Sequence, residues 1–201
     1  MATALTENAK RKLGIWYNAN FDPEVAQLRD RCDELCWQFN QTNPRDHISG
    51  EKILQQLLPH RGREVVIIPR FDADYGDNCF IGDHTFINRG CYLMDCAPIT
   101  LGKWCFIGPN CGFYTAKHPL LPHERNQGLE QAKAITLGDN IWVGGHVVFL
   151  PGVKVGSGCV IGAGSVVVHD LPADCVAVGN PCRVLRKITE RDSIYYQHLQ
   201  A

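Results

Sequence analysis

Counting back from Val167 in steps of six residues meets Ile161, Val155, Phe149, Val143 and Leu137, and a glycine follows the apolar residue at four of these six positions. A period of six fits neither an amphipathic helix nor a half-buried strand, whose periods are about 3.6 and 2. It fits a parallel β-helix of hexapeptide units. The same count runs upstream through Tyr75, Ile81, Ile87, Leu93 and Ile99, slips by two, and resumes at Leu101, Ile107 and Phe113. Each unit is then one short strand and one corner. The aliphatic side chain points inward, and the Gly or Asn beside it relieves crowding or allows positive φ. IGDHTF, IGPNCG, LGDNIW, VGGHVV, VGSGCV and IGAGSV all obey this pattern.

The 201 residues, 45% of them hydrophobic, suffice for one domain with an attached subdomain. With a formal charge of -1 and no long basic run, nothing electrostatic points to nucleic acid. No apolar run approaches the roughly 18 residues needed to cross a bilayer, and MATALTENAKRK has no apolar leader core. A cytoplasmic protein without a membrane partner is expected. Ten cysteines are spread from Cys32 to Cys182 without CxxC pairs, and Cys79, Cys91, Cys105, Cys111 and Cys159 recur inside the repeat. Small buried thiols are expected rather than a disulfide framework, and no metal site.

Three regions follow. Residues 1–62 read as a helical subdomain. Asp22-Pro23-Glu24 supplies a cap, a first-turn proline and a first-turn acid, and Val25, Leu28, Cys32, Leu35, Cys36 and Phe39 form an apolar stripe. Asn43-Pro44 breaks that helix, and Ile53, Leu54, Leu57 and Leu58 mark another. Residues 63–182 are the solenoid, interrupted by a loop at about 118–134, where the register positions Pro119, Arg125 and Gln131 keep the count but lose the hydrophobicity. A loop projecting from a continuous coil explains both facts. Residues 183–201 read as a basic tail ending in a short amphipathic helix that caps the last coil.

The loop opens with Tyr114-Thr115-Ala116-Lys117-His118-Pro119. Imidazole, with an unperturbed pKa of about 6.5, is well suited to general base work near neutrality. Seven other histidines are present, so spacing alone does not select His118.

YTAKHP, then ITLGDNIWVGGHVVFLPGVKVGSGCVIGAGSVVVHDLPADCVAVGNPCRVLRKI after the loop, resembles the maltose and galactoside O-acetyltransferases of the hexapeptide-repeat acyltransferases. FDADYGDNCFIGDHTFINRGCYLMDCAPITLG and the two-part helical N-terminus follow the same family's pattern. The resemblance covers nearly the whole chain. It implies a mainly β fold, the left-handed parallel β-helix; a homotrimer with active sites between subunits; acetyl-CoA as donor; and a sugar hydroxyl as acceptor.

By this resemblance His118 is the catalytic base of a direct transfer, without an acyl-enzyme. Asn88 in FINRG corresponds to a sugar-contacting asparagine, while Asp74, Asp95, Tyr17 and Asn18 lie where acceptor hydroxyls would bind. Trp142 matches a family tryptophan near the site. Gly145 and Ala163 are small residues on consecutive repeats where a pantetheine arm could lie, with Val168 beyond them. Arg183 and Arg186 match the basic tail with which the family holds CoA, and guanidinium groups suit phosphate oxygens. Each has a structural alternative: a turn for Asp74 and Asp95, a corner for Asn88, Gly145 and Ala163, a solvated tail for the arginines.

Two departures bear on the acceptor. Cys96 stands where the galactoside branch has a second acid, and that branch's sugar-binding aspartate near Tyr17 and Asn18 is missing. Serine or an antibiotic is therefore the alternative acceptor. A zinc-dependent hydratase using His84, His118 and His123 is the alternative of a different class.

Overall fold

The structure is a computed structural model that describes residues 4–195. Its main body is a left-handed β-helix of about six turns with three faces. The first face stacks Cys79–Ile81, Ile99–Leu101, Ile135–Leu137 and Lys154–Val155. The second runs from Val66–Ile67 through Phe86–Ile87, Phe106–Ile107, Trp142–Val143 and Val160–Ile161 to Cys175–Val178. The third stacks Phe71–Ala73, Cys91–Met94, Gly112–Tyr114, Val148–Phe149 and Val166–Val167.

The six-residue count is the inward column of these faces. Leu101, Leu137 and Val155 pair coil to coil, as do Ile107, Val143 and Ile161, and all are buried. The count fails at Tyr75. Ala73, not Tyr75, pairs with Leu93 in the inward column, so the slip by two occurs in the first coil as well as between Leu93 and Leu101. Tyr75 instead packs with Tyr17, Ala19, Val25, Cys96, Ala97 and Ala132 in a second, smaller apolar cluster outside the solenoid.

The abundance of cysteine has a packing reason. Positions two residues before the inward column are buried, and where they hold a small polar or thiol side chain it faces a corner carbonyl. Cys91, Cys105 and Cys111 each donate S–H to a glycine carbonyl, of Gly108, Gly138 and Gly144 at 3.3, 3.2 and 3.2 Å. Thr85 uses its hydroxyl in the same way toward Gly102 O at 2.8 Å. All ten thiols are free and buried.

The N-terminal region holds α1 (Glu7–Lys12), α2 (Pro23–Gln41) and α3 (His47–Leu57). The Asp22 carboxylate accepts from Val25 N at 2.9 Å, capping α2. α2 lies over the first strand of the third face, where the Asn40 side chain donates to Phe71 O at 3.0 Å and accepts from Phe71 N at 2.9 Å. One amide thus occupies an otherwise open strand edge.

The excursion between Tyr114 and Ile135 is a hairpin. Ala116–Lys117 pairs antiparallel with Leu129–Ala132, with the short α4 (Pro122–Arg125) between them, and Tyr17–Asn18 adds a third strand beside Leu129–Glu130. At the far end Arg183–Lys187 turns back antiparallel on Cys175–Val178. Glu190–Asp192 is a 3-10 turn, and the remainder of the expected closing helix, from residue 196, lies outside the described residues. No helix among the described residues is long and apolar enough to cross a membrane.

Candidate active site

The hairpin and the strand Tyr17–Asn18 bring His118, Glu130 and Tyr17 together. Register places Tyr17 directly opposite Glu130, and the Tyr17 hydroxyl donates to Glu130 Oε1. Both are buried, whereas the His118 side chain is 44% exposed. His118 Nδ1 lies 3.0 Å from Leu129 O. A carbonyl oxygen can only accept, so Nδ1 carries the hydrogen and Nε2 keeps its lone pair. Nε2 is 3.8 Å from Glu130 Oε2, so a proton arriving on Nε2 would face that carboxylate, and the imidazolium would be held between a carbonyl and a carboxylate.

Asp74 joins the group through shared neighbours. It accepts from the Tyr92 hydroxyl and, at 3.3 Å, from Cys96 Sγ. Burial pushes the Cys96 thiol up, and the Glu130 and Asp74 carboxylates add to that shift. Cys96 is therefore a neutral hydrogen donor here rather than a nucleophile. Burial likewise raises Tyr17, and it holds Tyr75 up to about 12 against the lowering effect of Arg29, whose Nη1 lies 3.4 Å from the phenol oxygen.

Asp95 has a different task from the one expected. It is fully buried, and its oxygens accept from Asp74 N at 3.0 Å, Tyr75 N at 2.8 Å and Asn78 N at 3.2 Å. It ties down the 74–78 turn and has no face left for an acceptor hydroxyl. Desolvation raises it to about 6 despite those bonds. Asn18 is also occupied: its Oδ1 accepts from Phe21 N at 2.9 Å, and its N–H donates to Glu7.

The expected donor residues, and with them the expected sugar-contacting Asn88, lie elsewhere on the coil. Trp142 projects from the second face, 60% exposed, in register with Phe106 and Phe86. Asn88 sits half-buried at the next corner, its Oδ1 bonded to Arg89 N at 2.8 Å. Gly145 and Ala163 follow on successive coils at that corner, linked by Gly164 N to Gly145 O at 2.9 Å. Val168 is half-buried after the last strand of the third face. No hydrogen bond among the described residues links this group to the His118 cluster.

The corner glycines are not equivalent. A Cβ on Gly144 would lie 2.6 Å from Ala163 N, so the coil itself requires that glycine. A Cβ on Gly145 would meet nothing closer than Pro109 O at 3.3 Å, so corner packing does not account for it. Arg183 is exposed, while Arg186 is already committed, its guanidinium forming two bonds to the Asp192 carboxylate at 2.9 and 2.7 Å. That ion pair removes Arg186 as a free phosphate ligand in this arrangement.

Glu130 is the residue that sequence reasoning missed. The signal was the strand Leu129–Ala132, in which Glu130 and Ala132 alternate inward, an acid where an apolar residue is the rule. The three histidines of the zinc alternative do not gather. His84 pairs with Glu64 and stacks on Trp104, His123 lies in α4, and no group of three potential ligands occurs among the described residues.

Known proteins share the family motifs and the fold of this chain. Residues 10–62 match the maltose acetyltransferase hexapeptide capping motif, and residues 134–169 match the bacterial transferase hexapeptide of six repeats. A Staphylococcus aureus (strain MRSA252) protein, provisionally named an acetyltransferase, is 48% identical over 184 residues, 92% of each chain. The maltose O-acetyltransferase of Clostridium difficile 630 superposes with a TM-score of 0.90 at 40% identity, covering 94% of this chain and all of that one. A galactoside acetyltransferase in complex with coenzyme A gives 0.90 at 32% identity over 96% of both. A Vibrio cholerae hexapeptide-repeat acetyltransferase complexed with acetyl-CoA gives 0.84 at 34%, covering 92% of this chain and all of that one. With the capping motif, the hexapeptide repeat and likeness to these enzymes over nearly its whole length, the chain belongs to the maltose and galactoside O-acetyltransferase family of hexapeptide-repeat acyltransferases, and it is an acetyltransferase.

Proposed function

We propose that this enzyme moves an acetyl group from acetyl-CoA directly to a hydroxyl of a sugar such as maltose, glucose or a galactoside, with His118 as general base. The observation that carries the reading is the fixed tautomer of an exposed imidazole: Leu129 O holds the Nδ1 hydrogen at 3.0 Å and leaves Nε2 free. The acceptor oxygen attacks the thioester carbonyl as its proton passes to Nε2. The tetrahedral oxyanion then collapses, the C–S bond breaks, and the leaving CoA sulfur takes the proton from the imidazolium. Glu130 Oε2, at 3.8 Å, stabilises that transient cation. General base help of this kind is worth about 10²- to 10⁴-fold, and alignment of the two substrates supplies much of the rest.

On this reading Asp74 and Tyr17 border the acceptor, Asn88 contacts it, and Trp142, Gly145, Ala163, Val168 and Arg183 take the donor. The His118, Glu130, Tyr17 and Asp74 group lies apart from the corner that carries Asn88 and the donor residues, and this supports a homotrimer in which neighbouring subunits each contribute one. Ten free thiols suit a reducing cytoplasm.

The test is thiol release from acetyl-CoA over a panel of maltose, glucose, galactosides, serine and chloramphenicol. Sugar-dependent release is expected. Release with serine or chloramphenicol alone would overturn the sugar assignment.

A further inference from the structure

We propose that the cavity beside Arg11 is a binding site for a small oxyanion, a carboxylate or phosphate group. Arg11 is only 2% exposed. Its Nε and Nη2 both donate to Asn8 Oδ1, at 3.1 and 3.0 Å, and its guanidinium carbon stacks 3.9 Å from the Tyr75 ring centroid. Nη1 is buried without a hydrogen-bond partner, and no carboxylate pairs with Arg11 among the described residues. Taking a guanidinium out of water without a counter-charge is costly, and neither a neutral amide nor a ring face cancels the charge.

The space for a counter-charge is present. A cavity of about 500 Å³, lined by Arg11, opens between α1 and the corner that follows Cys96. Its remaining charged or titratable lining is Lys12, His60, Asp77 and the raised Cys96 thiol, so two permanent cations face one acid. Guanidinium and ammonium groups converging on a pocket of this kind recognise oxyanions. Cys96 also donates to Asp74 and so forms a wall shared with the His118 cluster. The anion is therefore either a charged group on the acceptor or a separate small ligand.

Thermal denaturation of the full-length enzyme with inorganic phosphate or acetate tests the site without reference to activity. Phosphate or acetate at about ten times its Kd is expected to raise Tm by roughly 3–6 °C. Arg11→Met should abolish that shift while raising the ligand-free Tm, because the bare charge is gone, and Asp77→Asn should enlarge it. Either no anion-dependent shift in the wild type or the same shift in Arg11→Met would overturn the proposal.

A second arm rests on the sugar reading above and compares KM for a neutral hexose with its uronic acid and its phosphate ester. A lower KM for the charged sugars that Arg11→Met erases assigns the anion to the acceptor. Equal KM values together with the thermal shift assign it to a separate ligand. Failure of sugar acetylation leaves the thermal result to decide the site.

Discussion

Replacing Gly144 and Gly145 separately by alanine distinguishes a glycine that the coil needs from one that a ligand needs. The added methyl at Gly144 falls 2.6 Å from Ala163 N and 2.9 Å from its Cα, both backbone atoms of the next coil. Neither can move without displacing the coil, so the cost is that of overpacking, about 1–3 kcal/mol. At roughly 2–4 °C per kcal/mol for a chain of this size, Tm should fall by about 2–12 °C. At Gly145 the methyl meets Pro109 O at 3.3 Å and Pro109 side-chain carbons at 3.4 Å. A shift of a few tenths of an ångström relieves that, and the lower entropy of the unfolded chain offsets part of the strain. The expected change is under about 3 °C. The same methyl would stand where the pantetheine arm is proposed to lie. Coenzyme A affinity, measured by calorimetry, should drop about 10-fold or more, as for a clash of 1–3 kcal/mol. If Gly145→Ala melts as early as Gly144→Ala, or binds coenzyme A as tightly as the wild type, the reasoning fails.

Two further outcomes follow from the buried acids. Glu130→Gln keeps the bond to Tyr17 but removes the charge facing Nε2, so kcat should fall about 10-fold with the acceptor KM changed little; an unchanged kcat would remove Glu130 from the mechanism. Asp95, held near 6 against a usual value of 3.8, binds its proton more tightly folded than unfolded. Its contribution is therefore most favourable below about pH 4, declines as pH rises to about 6, and is worse by about 3 kcal/mol above that. In denaturant titrations Asp95→Asn should lack this decline, and a variant that shows the wild-type pH slope would refute the assignment.

The solenoid was legible because its inward column is set by one side chain in six, and burial enforces that choice in every coil. Tyr75 misled the count because the corner after Ala73 carries two extra residues, and a bulky apolar residue there serves a second cluster that sequence periodicity does not encode. His118 was found through the resemblance of YTAKHP. Glu130 was not, because its meaning comes from a partner, Tyr17, 113 residues away and brought alongside only by an antiparallel strand. Asp95 was read as an acceptor-binding acid with a turn as its alternative, and Arg186 as a CoA ligand through the family resemblance with a solvated tail as its alternative. Their contacts with Asp74, Tyr75, Asn78 and Asp192 are tertiary or turn-specific, and only the fold reveals that their bonding capacity is already used. The cysteines were read rightly as buried thiols, but the donation of Cys91, Cys105 and Cys111 to corner carbonyls needed the coil geometry.

The central claim is that His118 removes the acceptor proton during direct transfer, and the sharpest measurement is kcat and acetyl-CoA affinity of His118→Ala beside the wild type, with the best sugar from the panel. The account predicts a kcat lower by about 10²- to 10⁴-fold with acetyl-CoA bound as tightly as before. A kcat within about threefold of the wild type would contradict it.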